Sequence, residues 1–472
     1  MTSEKSLLRV NFFAWRPLRS LVFHPWFPVV LQTLALATVG VLAVLGWGDG
    51  LDNTPSELML FRKTHLTTLV VWGLWWPVMI AVALAFGRVW CTVCPMELVN
   101  RAGDAIARRL GWPRARMGKV LRAGWATLAL YIVLQLLVAG LSLHRVPHFT
   151  ALMLASLFGL ALVTGMVFRE QRSFCTGFCP AAALLSVYGR FTGLQLSHDK
   201  PSVCADCETR DCVSAANRNR FDKRSCPSML RPFDRAPSDG CVLCLQCVKV
   251  CPHDNMGFGL VREGAPMRRK ALLRPFEAGF VMIAFGFVAH DAISEVKWLD
   301  GYFHWIPEKL HAMMPVVSFA WFEALWFLLL FPLAAWAVTA TIGFLLGHRG
   351  GLGSLLLGAA TGAAPVVAVA HLAKAAAKVS SWGGFLPRAL AEPDGAETFH
   401  LIQTGALASP GRLVGLSIVG WLMLLLTVFI GWRAWRWARH VPAESMAAAR
   451  SGLIVSIVMF TAVLIIWTLP QT

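Results

Sequence analysis

The apolar residues of this chain are gathered into about nine stretches, each long enough to cross the hydrocarbon core of a bilayer as a helix. These stretches occupy residues 27–47, 66–87, 122–143, 150–168, 276–294, 315–345, 353–377, 411–432 and 451–468. The pattern predicts an all-α polytopic membrane protein with about nine transmembrane helices. A content of 56% hydrophobic and 15% charged residues agrees with this class and excludes an ordinary soluble enzyme.

One long interval, residues 169–275, separates the fourth stretch from the fifth and is rich in polar residues, proline and glycine. We therefore expect three parts: a four-span membrane unit at 1–168, a soluble insert at 169–275 and a five-span membrane unit at 276–472. The insert has few apolar residues for a large core, so we expect bound metal to stabilise it. No apolar core precedes the first stretch, and a cleavable signal sequence is not expected.

Basic residues are distributed unevenly between the loops. They concentrate at the N-terminus and at 88–122, 169–275 and 433–450, whereas few occur at 48–65, 144–149, 295–314 and 379–410. Since lysine and arginine favour the cytoplasmic side, we expect a multi-pass protein of the bacterial inner membrane whose basic loops, the insert included, are cytoplasmic. The formal charge of +17 then reflects membrane orientation, and no nucleic-acid partner is expected.

All twelve cysteines lie between Cys91 and Cys251, in four clusters that each end in Cys-Pro. The clusters are Cys91-x2-Cys94-Pro, Cys175-x3-Cys179-Pro, Cys204-x2-Cys207-x4-Cys212 with Cys226-Pro, and Cys241-x2-Cys244-x2-Cys247-x3-Cys251-Pro. Thiols in the cytoplasm stay reduced, which favours metal binding over disulfides.

The run from Cys241 to Cys251 has the spacing of bacterial ferredoxins, in which three thiolates hold one [4Fe–4S] cluster and the fourth serves a neighbouring cluster. If the first half of the insert mirrors this run, the insert is ferredoxin-like and holds two clusters. One cluster uses Cys204, Cys207, Cys212 and Cys251, and the other uses Cys226, Cys241, Cys244 and Cys247. A zinc ribbon with four-cysteine sites is the alternative.

The remaining four cysteines follow two similar membrane hairpins. In each hairpin one span leaves the cytoplasm, a second returns and a Cys-Pro motif follows, which indicates a parallel internal repeat. Such a repeat brings Cys91, Cys94, Cys175 and Cys179 together at the cytoplasmic membrane edge. These thiols are candidates for a third iron–sulfur or other metal centre. Two redox-active dithiols and buried structural cysteines without metal are the alternatives.

The membrane-edge motif Cys175–Pro180, followed by a two-cluster ferredoxin module, resembles the NapH/NosR/CcoG-like family of membrane iron–sulfur (polyferredoxin) proteins. The resemblance covers residues from about 25 to 275. It implies transfer of electrons between the quinone pool, or a cytoplasmic donor, and a partner redox protein. The chain departs from the family in the x2 spacing of Cys91 and Cys94, and its five C-terminal spans have no counterpart there.

Histidine and charged side chains within the C-terminal spans are further candidates for chemistry. His290 and His371 lie in the fifth and seventh stretches and form a candidate pair of axial ligands for haem b. Glu323, His371 and Lys374 are candidates for a quinone or proton site. Hydrogen bonds to water and backbone, or structural ion pairs, are the alternatives for these residues.

Two functions are consistent with these residues. The first is a membrane electron-transfer protein that acts as a quinol dehydrogenase-like subunit of an oxidoreductase, with quinone and a redox protein as partners. The second is a redox assembly factor that reduces metal or thiols during maturation of a respiratory metalloenzyme. A weak copper motif at His311, Met313 and Met314 is the feature that favours the second. The sequence identifies no catalytic residue.

Overall fold

The protein is mostly helical, as its apolar pattern predicts. The computed structural model describes residues 8–228, 230–233, 240–261 and 272–469. Among them, seven helices are long and apolar enough to cross a membrane: Leu66–Arg109, Pro147–Val167, Pro275–Ile293, Phe319–Leu345, Leu352–Ala391, Leu416–His440 and Ala443–Thr468. Two shorter apolar helices, Val29–Leu45 and Trp125–Gly140, occupy the first and third predicted stretches. A helical, multi-pass membrane protein is therefore confirmed.

The long helices are built from α-helical segments, some of them joined by π- or 3₁₀-helical turns. The α-helices are α1 (Arg16–Phe23), α2 (Val29–Leu45), α3 (Pro55–Thr64), α4 (Leu66–Thr68), α5 (Trp76–Phe86), α6 (Trp90–Val93), α7 (Pro95–Arg109), α8 (Lys119–Ala123), α9 (Trp125–Gly140), α10 (Pro147–Val167), α11 (Ser173–Gly177), α12 (Ala182–Tyr188), α13 (Pro201–Ala205), α14 (Gln246–Val250), α15 (Pro275–Ile293), α16 (Lys297–Met313), α17 (Phe319–Leu325), α18 (Phe331–Leu345), α19 (Leu352–Trp382), α20 (Leu386–Ala391), α21 (Ala396–Gln403), α22 (Leu416–Trp437) and α23 (Ala443–Thr468). The π-helical turns Leu69–Trp75 and Trp326–Leu330 join α4 to α5 and α17 to α18.

The chain folds into two compact units, and each is assembled from three separate stretches. Unit 1 comprises Met1–Gly40, Val82–Thr127 and Ser156–Lys270, and unit 2 comprises Val41–Ala81, Leu128–Ala155 and Ala271–Thr472. These units follow packing rather than chain order. A unit boundary falls between Lys270 and Ala271, close to the predicted division at residue 275, whereas none falls at residue 168. The insert shares unit 1 with parts of the first four apolar helices.

Unit 1 contains a three-stranded antiparallel sheet that the apolar pattern does not predict. Its strands, in the spatial order β1-β3-β2, are β1 (Leu8–Asn11), β2 (Leu194–His198) and β3 (Met256–Val261). Asn11 lies opposite Gly259 in the register. Glycine is required at this position because a Cβ on residue 259 would overlap the backbone of Val10.

An apolar core packs with this sheet and draws on widely separated parts of the sequence. Phe13 and Val22 come from the N-terminal segment, Leu194 and Phe258 from the strands, and Leu243 from the cysteine-rich loop. A large apolar side chain contributes roughly 1.5–3 kcal/mol when it is fully buried. The insert therefore does not form this core alone, as its few apolar residues predict, because the N-terminal segment supplies part of the side chains.

Unit 2 is organised around α19, which is buried along most of its length and packs against α15, α22 and α23. Small residues allow α19 and α23 to approach closely. A Cβ on Gly362 would overlap the carbonyl oxygen of Ala449, and a Cβ on Gly452 would overlap that of Ala359. The two helices are therefore in backbone contact at this crossing.

The substitution Gly362→Ala is expected to destabilise the protein by about 1–3 kcal/mol, because the added methyl group must push α19 and α23 apart. Gly353→Ala in the same helix is the matched control, since residue 353 is exposed and a Cβ there meets nothing within 4 Å. Thermal unfolding of the detergent-solubilised variants, followed by tryptophan fluorescence, measures the difference. Equal midpoints for the two variants would contradict the close packing.

Candidate metal centres

All twelve cysteines lie in unit 1 and are free thiols, and they fall into three groups of four. In each group the thiols lie within electrostatic range of one another, which means that the charge of one thiolate affects the ionisation of the others. The edge group is Cys91, Cys94, Cys175 and Cys179, the proximal group is Cys226, Cys241, Cys244 and Cys247, and the distal group is Cys204, Cys207, Cys212 and Cys251. The structure thus brings together each set of four thiols that the sequence assigns to one centre.

The distal group surrounds a single cavity, which its four cysteines line together with Asn255. Cys212 lies within electrostatic range of the other three members. The Asn255 side chain donates from Nδ2 to the sulfur of Cys204 over 3.2 Å, and its backbone N–H donates to the sulfur of Cys251 over 3.4 Å. Such donors stabilise a thiolate, because hydrogen bonds to a charged acceptor are stronger than neutral ones.

The proximal group depends on a loop with an unusual backbone. Leu243 and Leu245 adopt left-handed conformations, with φ of 51° and 59°, which are uncommon for bulky residues. Both side chains are buried in the apolar core of unit 1, and this packing holds the strained loop in place. Cys247 lies within electrostatic range of the other three members. Burial raises the pKa of Cys241 to about 12 and that of Cys226 to about 11.

The thiols of the described chain do not form a preformed four-sulfur site for a single zinc ion. Four sulfur ligands around zinc, at bonds of about 2.3 Å, lie about 3.8 Å from one another. Among the described residues, which include all twelve cysteines, no three cysteine sulfur atoms lie within 4.8 Å of each other.

The edge group joins the two Cys-Pro motifs of the predicted repeat. Cys91 lies in α6, and Cys94 directly precedes Pro95, the first residue of α7. Proline suits this helix position because its missing N–H would have no partner within the helix. Cys175 lies in α11, and Cys179 follows the end of that helix. Cys94 lies within electrostatic range of the other three thiols.

Burial shifts the pKa of two edge thiols, Cys175 and Cys179. Burial raises the pKa of Cys175 well above its usual range and that of Cys179 to about 12. A reactive dithiol has a lowered thiol pKa, because the thiolate is the reactive form. In the protein without bound metal, burial therefore favours the protonated form of these two thiols.

The guanidinium of Arg172 lies between the edge and proximal groups. It is within electrostatic range of Cys91 and Cys175 on one side and of Cys244 on the other, and its side chain is 2% exposed. Its ion pair with Glu97 spans 3.6 Å. None of its three side-chain nitrogen atoms has a hydrogen-bond partner in the described part of the chain. Buried donors of this kind suit a neighbouring anionic group.

A second arginine and a direct hydrogen bond also link these two groups. Arg88 lies within electrostatic range of Cys179 and Cys241. Between α6 and the proximal loop, the hydroxyl of Thr92 donates to the carbonyl oxygen of Leu243 over 2.9 Å. The helix that carries Cys91 therefore contacts the strained loop of the proximal group directly.

The proximal and distal groups are also adjacent. Cys247 of the proximal group lies within electrostatic range of Cys212 of the distal group. The backbone N–H of Cys226 donates to the carbonyl oxygen of Cys212 over 2.8 Å. The three groups therefore form a continuous series in the order edge, proximal and distal.

Glu97 is the buried carboxylate that connects these parts. Its Oε2 accepts from Nε2 of Gln32 over 2.8 Å, and its Oε1 accepts from Nη2 of Arg224 over 3.2 Å. Oε1 is also the partner of Arg172 in the ion pair described above. The backbone N–H of Arg224 donates to Oε1 of Gln246, the first residue of α14. One carboxylate thus ties α2 and α7 to the cysteine-rich segment.

In unit 2, Glu323 contacts two histidines rather than a lysine. Its Oε1 lies 3.1 Å from Nε2 of His290 and 3.1 Å from Nε2 of His304. Lys374 instead pairs with Glu295 over 2.7 Å. The predicted quinone or proton set is therefore divided between two separate ion-pair clusters.

His371, which the sequence places in both the haem site and the quinone site, packs edge to face on Phe287 with ring centroids 5.3 Å apart. His290 lies one turn further along the same helix, α15. Both ring nitrogens of His290 face carboxylates, Nε2 toward Glu323 at 3.1 Å and Nδ1 toward Asp291 at 3.8 Å. A haem iron would need one of these nitrogens, so the arrangement does not favour the predicted haem pair.

The residues of the predicted copper motif lie near the end of α16. Nδ1 of His311 lies 3.0 Å from the carbonyl oxygen of Val317, and the His311 ring packs on Phe319. Met313 and Met314 are exposed. These contacts do not gather the three residues into a site.

Arg88 and Arg172 are functional candidates that the cysteine spacing does not reveal. A signal is nevertheless present in the sequence, because each arginine lies three residues before the first cysteine of its motif, at Cys91 and at Cys175. The predicted repeat thus extends from the cysteines to the arginines. Glu97 has no matching residue in the second motif, so its role becomes visible only in the structure.

The chain is similar to a known protein over only part of its length. No protein-family model matches the chain, and no solved structure matches it. The chain is similar to uncharacterized protein MJ0749 of Methanocaldococcus jannaschii, with 30% identity over 129 residues. This match covers 27% of the chain and 46% of that protein, so the chain spans about half the length of the relative it matches. The function is therefore argued from the three thiol groups and their surroundings.

Proposed function

We propose that this chain is a membrane-bound iron–sulfur protein that transfers electrons. The observation that carries the proposal is the continuous series of three four-thiol groups in unit 1. We assign one [4Fe–4S] cluster to the proximal group, one to the distal group, and a third iron–sulfur centre to the edge group. The ferredoxin spacing from Cys241 to Cys251 supports the first two assignments. The grouping of the twelve thiols into three sets of four supports all three.

The surroundings of the thiols fit anionic clusters. A four-iron cluster held by four thiolates carries negative charge, which a low-dielectric interior tolerates only beside positive charge or hydrogen-bond donors. Arg172 supplies three buried donors without another hydrogen-bond partner in the described residues, beside both the edge and the proximal thiols. Arg88 adds a second positive charge next to the same two groups. Asn255 supplies N–H donors to the distal group.

Iron–sulfur clusters supply one-electron transfer when they are bound. The residues of the chain set the conditions for it. Arg172 and Arg88 stabilise additional negative charge in the edge and proximal groups. The apolar core around Leu243 and Leu245 keeps water from the proximal thiols. The distal thiols line a cavity with the exposed residue His253, which makes this group the contact point for a soluble redox partner.

The proposed path runs between the membrane and the cytoplasm. The basic loops orient the insert toward the cytoplasm of a bacterial inner membrane. Electrons then pass between the quinone pool, or a cytoplasmic donor, and a partner redox protein, by way of the edge, proximal and distal groups. In this role the chain is an electron-transfer subunit of an oxidoreductase.

Protein purified without oxygen is expected to contain about twelve iron atoms and about twelve acid-labile sulfides per chain, since each of three centres holds four of each. The variants Cys175→Ser, Cys244→Ser and Cys212→Ser are each expected to lose one centre. Chemical iron analysis and EPR of the reduced protein measure this loss. About eight irons in the unmodified protein would remove the edge centre from the proposal, and a protein that binds only zinc would overturn it entirely.

The variant Arg172→Gln is expected to lower the reduction potentials of the edge and proximal centres by about 50–100 mV, the effect of one unit charge at close range in a protein. The reason is that a positive charge favours the reduced, more negative form. Arg172→Lys keeps the charge and is expected to restore most of the potential. EPR-monitored redox titration measures the shift.

Two further variants make this test specific. Arg220→Gln removes an exposed arginine that pairs with Asp222 in the same segment, and it is expected to leave all potentials unchanged. The double variant Arg172→Gln with Glu97→Gln removes opposite charges and is expected to give a smaller shift than Arg172→Gln alone. Equal potentials in all variants would contradict the placement of Arg172 between two centres.

Addition of a short-chain quinol to the oxidised protein without oxygen is expected to reduce the edge centre, and then the others, if quinol is the donor. Rapid-freeze EPR follows the appearance of reduced clusters, with the corresponding quinone as the control. If quinol never reduces any centre while a low-potential ferredoxin does, the donor is cytoplasmic and the quinol dehydrogenase role is excluded.

A further inference from the structure

Side chains from three helices of unit 2 meet at one point, far in the sequence from any cysteine. They are His290 from α15, His304 from α16 and Glu323 from α17. Their candidate ligand atoms all lie within 4.8 Å of one another, and both histidine Nε2 atoms lie 3.1 Å from Oε1 of Glu323. In a tetrahedral site with bonds of about 2.0–2.1 Å, neighbouring ligand atoms are about 3.3 Å apart. The observed separations therefore match those around a single metal ion.

The contact between His304 and Glu323 has the length of a hydrogen bond but not its direction. Nε2 of His304 is buried and has no hydrogen-bond partner within the described residues, although Oε1 of Glu323 lies 3.1 Å away. By contrast, Nε2 of His290 is in hydrogen-bond geometry with the same Oε1. A cation shared by His304 and Glu323 fits this difference between the two histidines. Each atom then directs a lone pair at the metal rather than at the other atom.

Carboxylates also face the second nitrogen of each imidazole. Oδ1 of Asp300 lies 3.1 Å from Nδ1 of His304, and Oδ1 of Asp291 lies 3.8 Å from Nδ1 of His290. Both are ion-pair contacts rather than hydrogen bonds, since Oδ1 of Asp300 has no hydrogen-bond partner among the described residues and 3.8 Å exceeds hydrogen-bond length. In metal sites the ring nitrogen that does not bind the metal commonly faces a carboxylate, which fixes the tautomer and orients the ring. Both histidines thus present Nε2 to the shared position.

Aromatic rings pack on both histidines, and charged side chains lie next to them. Phe327 stacks on His290 with a centroid distance of 4.5 Å and an interplanar angle of 8°, and Phe319 contacts the His304 ring. Three carboxylates lie at or next to the histidines, and the guanidinium of Arg145 lies within electrostatic range of Glu323. Arg62 and Lys378 lie within electrostatic range of Asp291, so cations balance the carboxylates around the histidines, and the argument for a metal rests on the ligand geometry.

We propose that His290, His304 and Glu323 bind a divalent first-row transition-metal ion, through two imidazole nitrogens and one carboxylate oxygen. Three protein ligands leave a tetrahedral ion with one open position for water or a small ligand. The donor set suits ions of the zinc and ferrous class, which accept nitrogen and oxygen together. The inference is independent of the iron–sulfur proposal, because no cysteine takes part. The competing account is an ion pair between a protonated histidine and Glu323.

The test uses the full-length protein in detergent, purified without oxygen and with its cysteine ligands unchanged. After treatment with a mild chelator, the protein is equilibrated with Zn²⁺ as the probe and washed. Zinc-edge X-ray absorption then reports the ligands of zinc alone, even if iron is bound elsewhere. We expect one zinc per chain with nitrogen and oxygen neighbours at about 2.0–2.1 Å, imidazole scattering and no sulfur neighbour at about 2.3 Å.

Variants identify the ligands. His304→Asn and Glu323→Gln are expected to weaken zinc binding at least a hundredfold, and Asp300→Asn about 10–100-fold because it acts through the orientation of His304. His400→Asn, an exposed histidine of α21 in the same unit, is the matched control. Iron content and helical circular dichroism of each variant confirm that the fold is retained.

Two results would overturn the inference. One is zinc bound only through sulfur, which would place it at the cysteines. The other is unchanged zinc affinity in the folded Glu323→Gln and Asp300→Asn variants, which would leave the ion pair as the correct account. Neither result bears on the iron count that tests the electron-transfer proposal.

Discussion

The arrangement of unit 1 depends on one buried carboxylate. Glu97 is bonded to Gln32 and Arg224 and paired with Arg172, and these partners come from three distant parts of the chain. A charged carboxylate without partners in a protein interior costs several kcal/mol, so the three segments must be in place together. Arg172 also lies beside the edge and proximal thiols. Its guanidinium therefore balances the charge of Glu97 and also interacts with both thiol groups. Folding and electrostatics of the thiol groups are therefore coupled through this residue.

The two Cys-Pro motifs show how a repeated sequence acquires different roles. Each motif carries an arginine three residues before its first cysteine, yet the surroundings of the two arginines differ. Arg172 is buried and paired with Glu97. Arg88 instead lies next to Gly87 in the kink between α5 and α6. The first motif alone continues into a long helix, α7, which supplies Glu97. The two motifs thus supply matching cysteines and arginines. Only the first motif also supplies Glu97, which connects α7 to the cysteine-rich segment.

Local signals made the helices and the thiol groups predictable. Apolar length is a property of each segment by itself, so helices occur at all the predicted stretches, and the ferredoxin spacing restricts which thiols can meet. Long-range contacts carried no such signal. The pairing of β1 with β3, the N-terminal side chains Phe13 and Val22 in the core, and the meeting of His290, His304 and Glu323 each depend on segments that only the folded chain brings together. The candidate set of Glu323, His371 and Lys374 is divided in the fold for the same reason, since charge alone does not select one partner among several.

The pairing of β1 with β3 also has a consequence for biosynthesis. The two strands are separated by about 250 residues, which a ribosome adds over tens of seconds. During this time the N-terminal segment has no sheet partner, while the intervening apolar helices are synthesised and enter the bilayer. The core of unit 1 closes only after β3 has been made, and Cys251 precedes that strand by a few residues. Every cysteine is therefore translated before the core can close, so the thiols stay accessible until the final strand completes the unit.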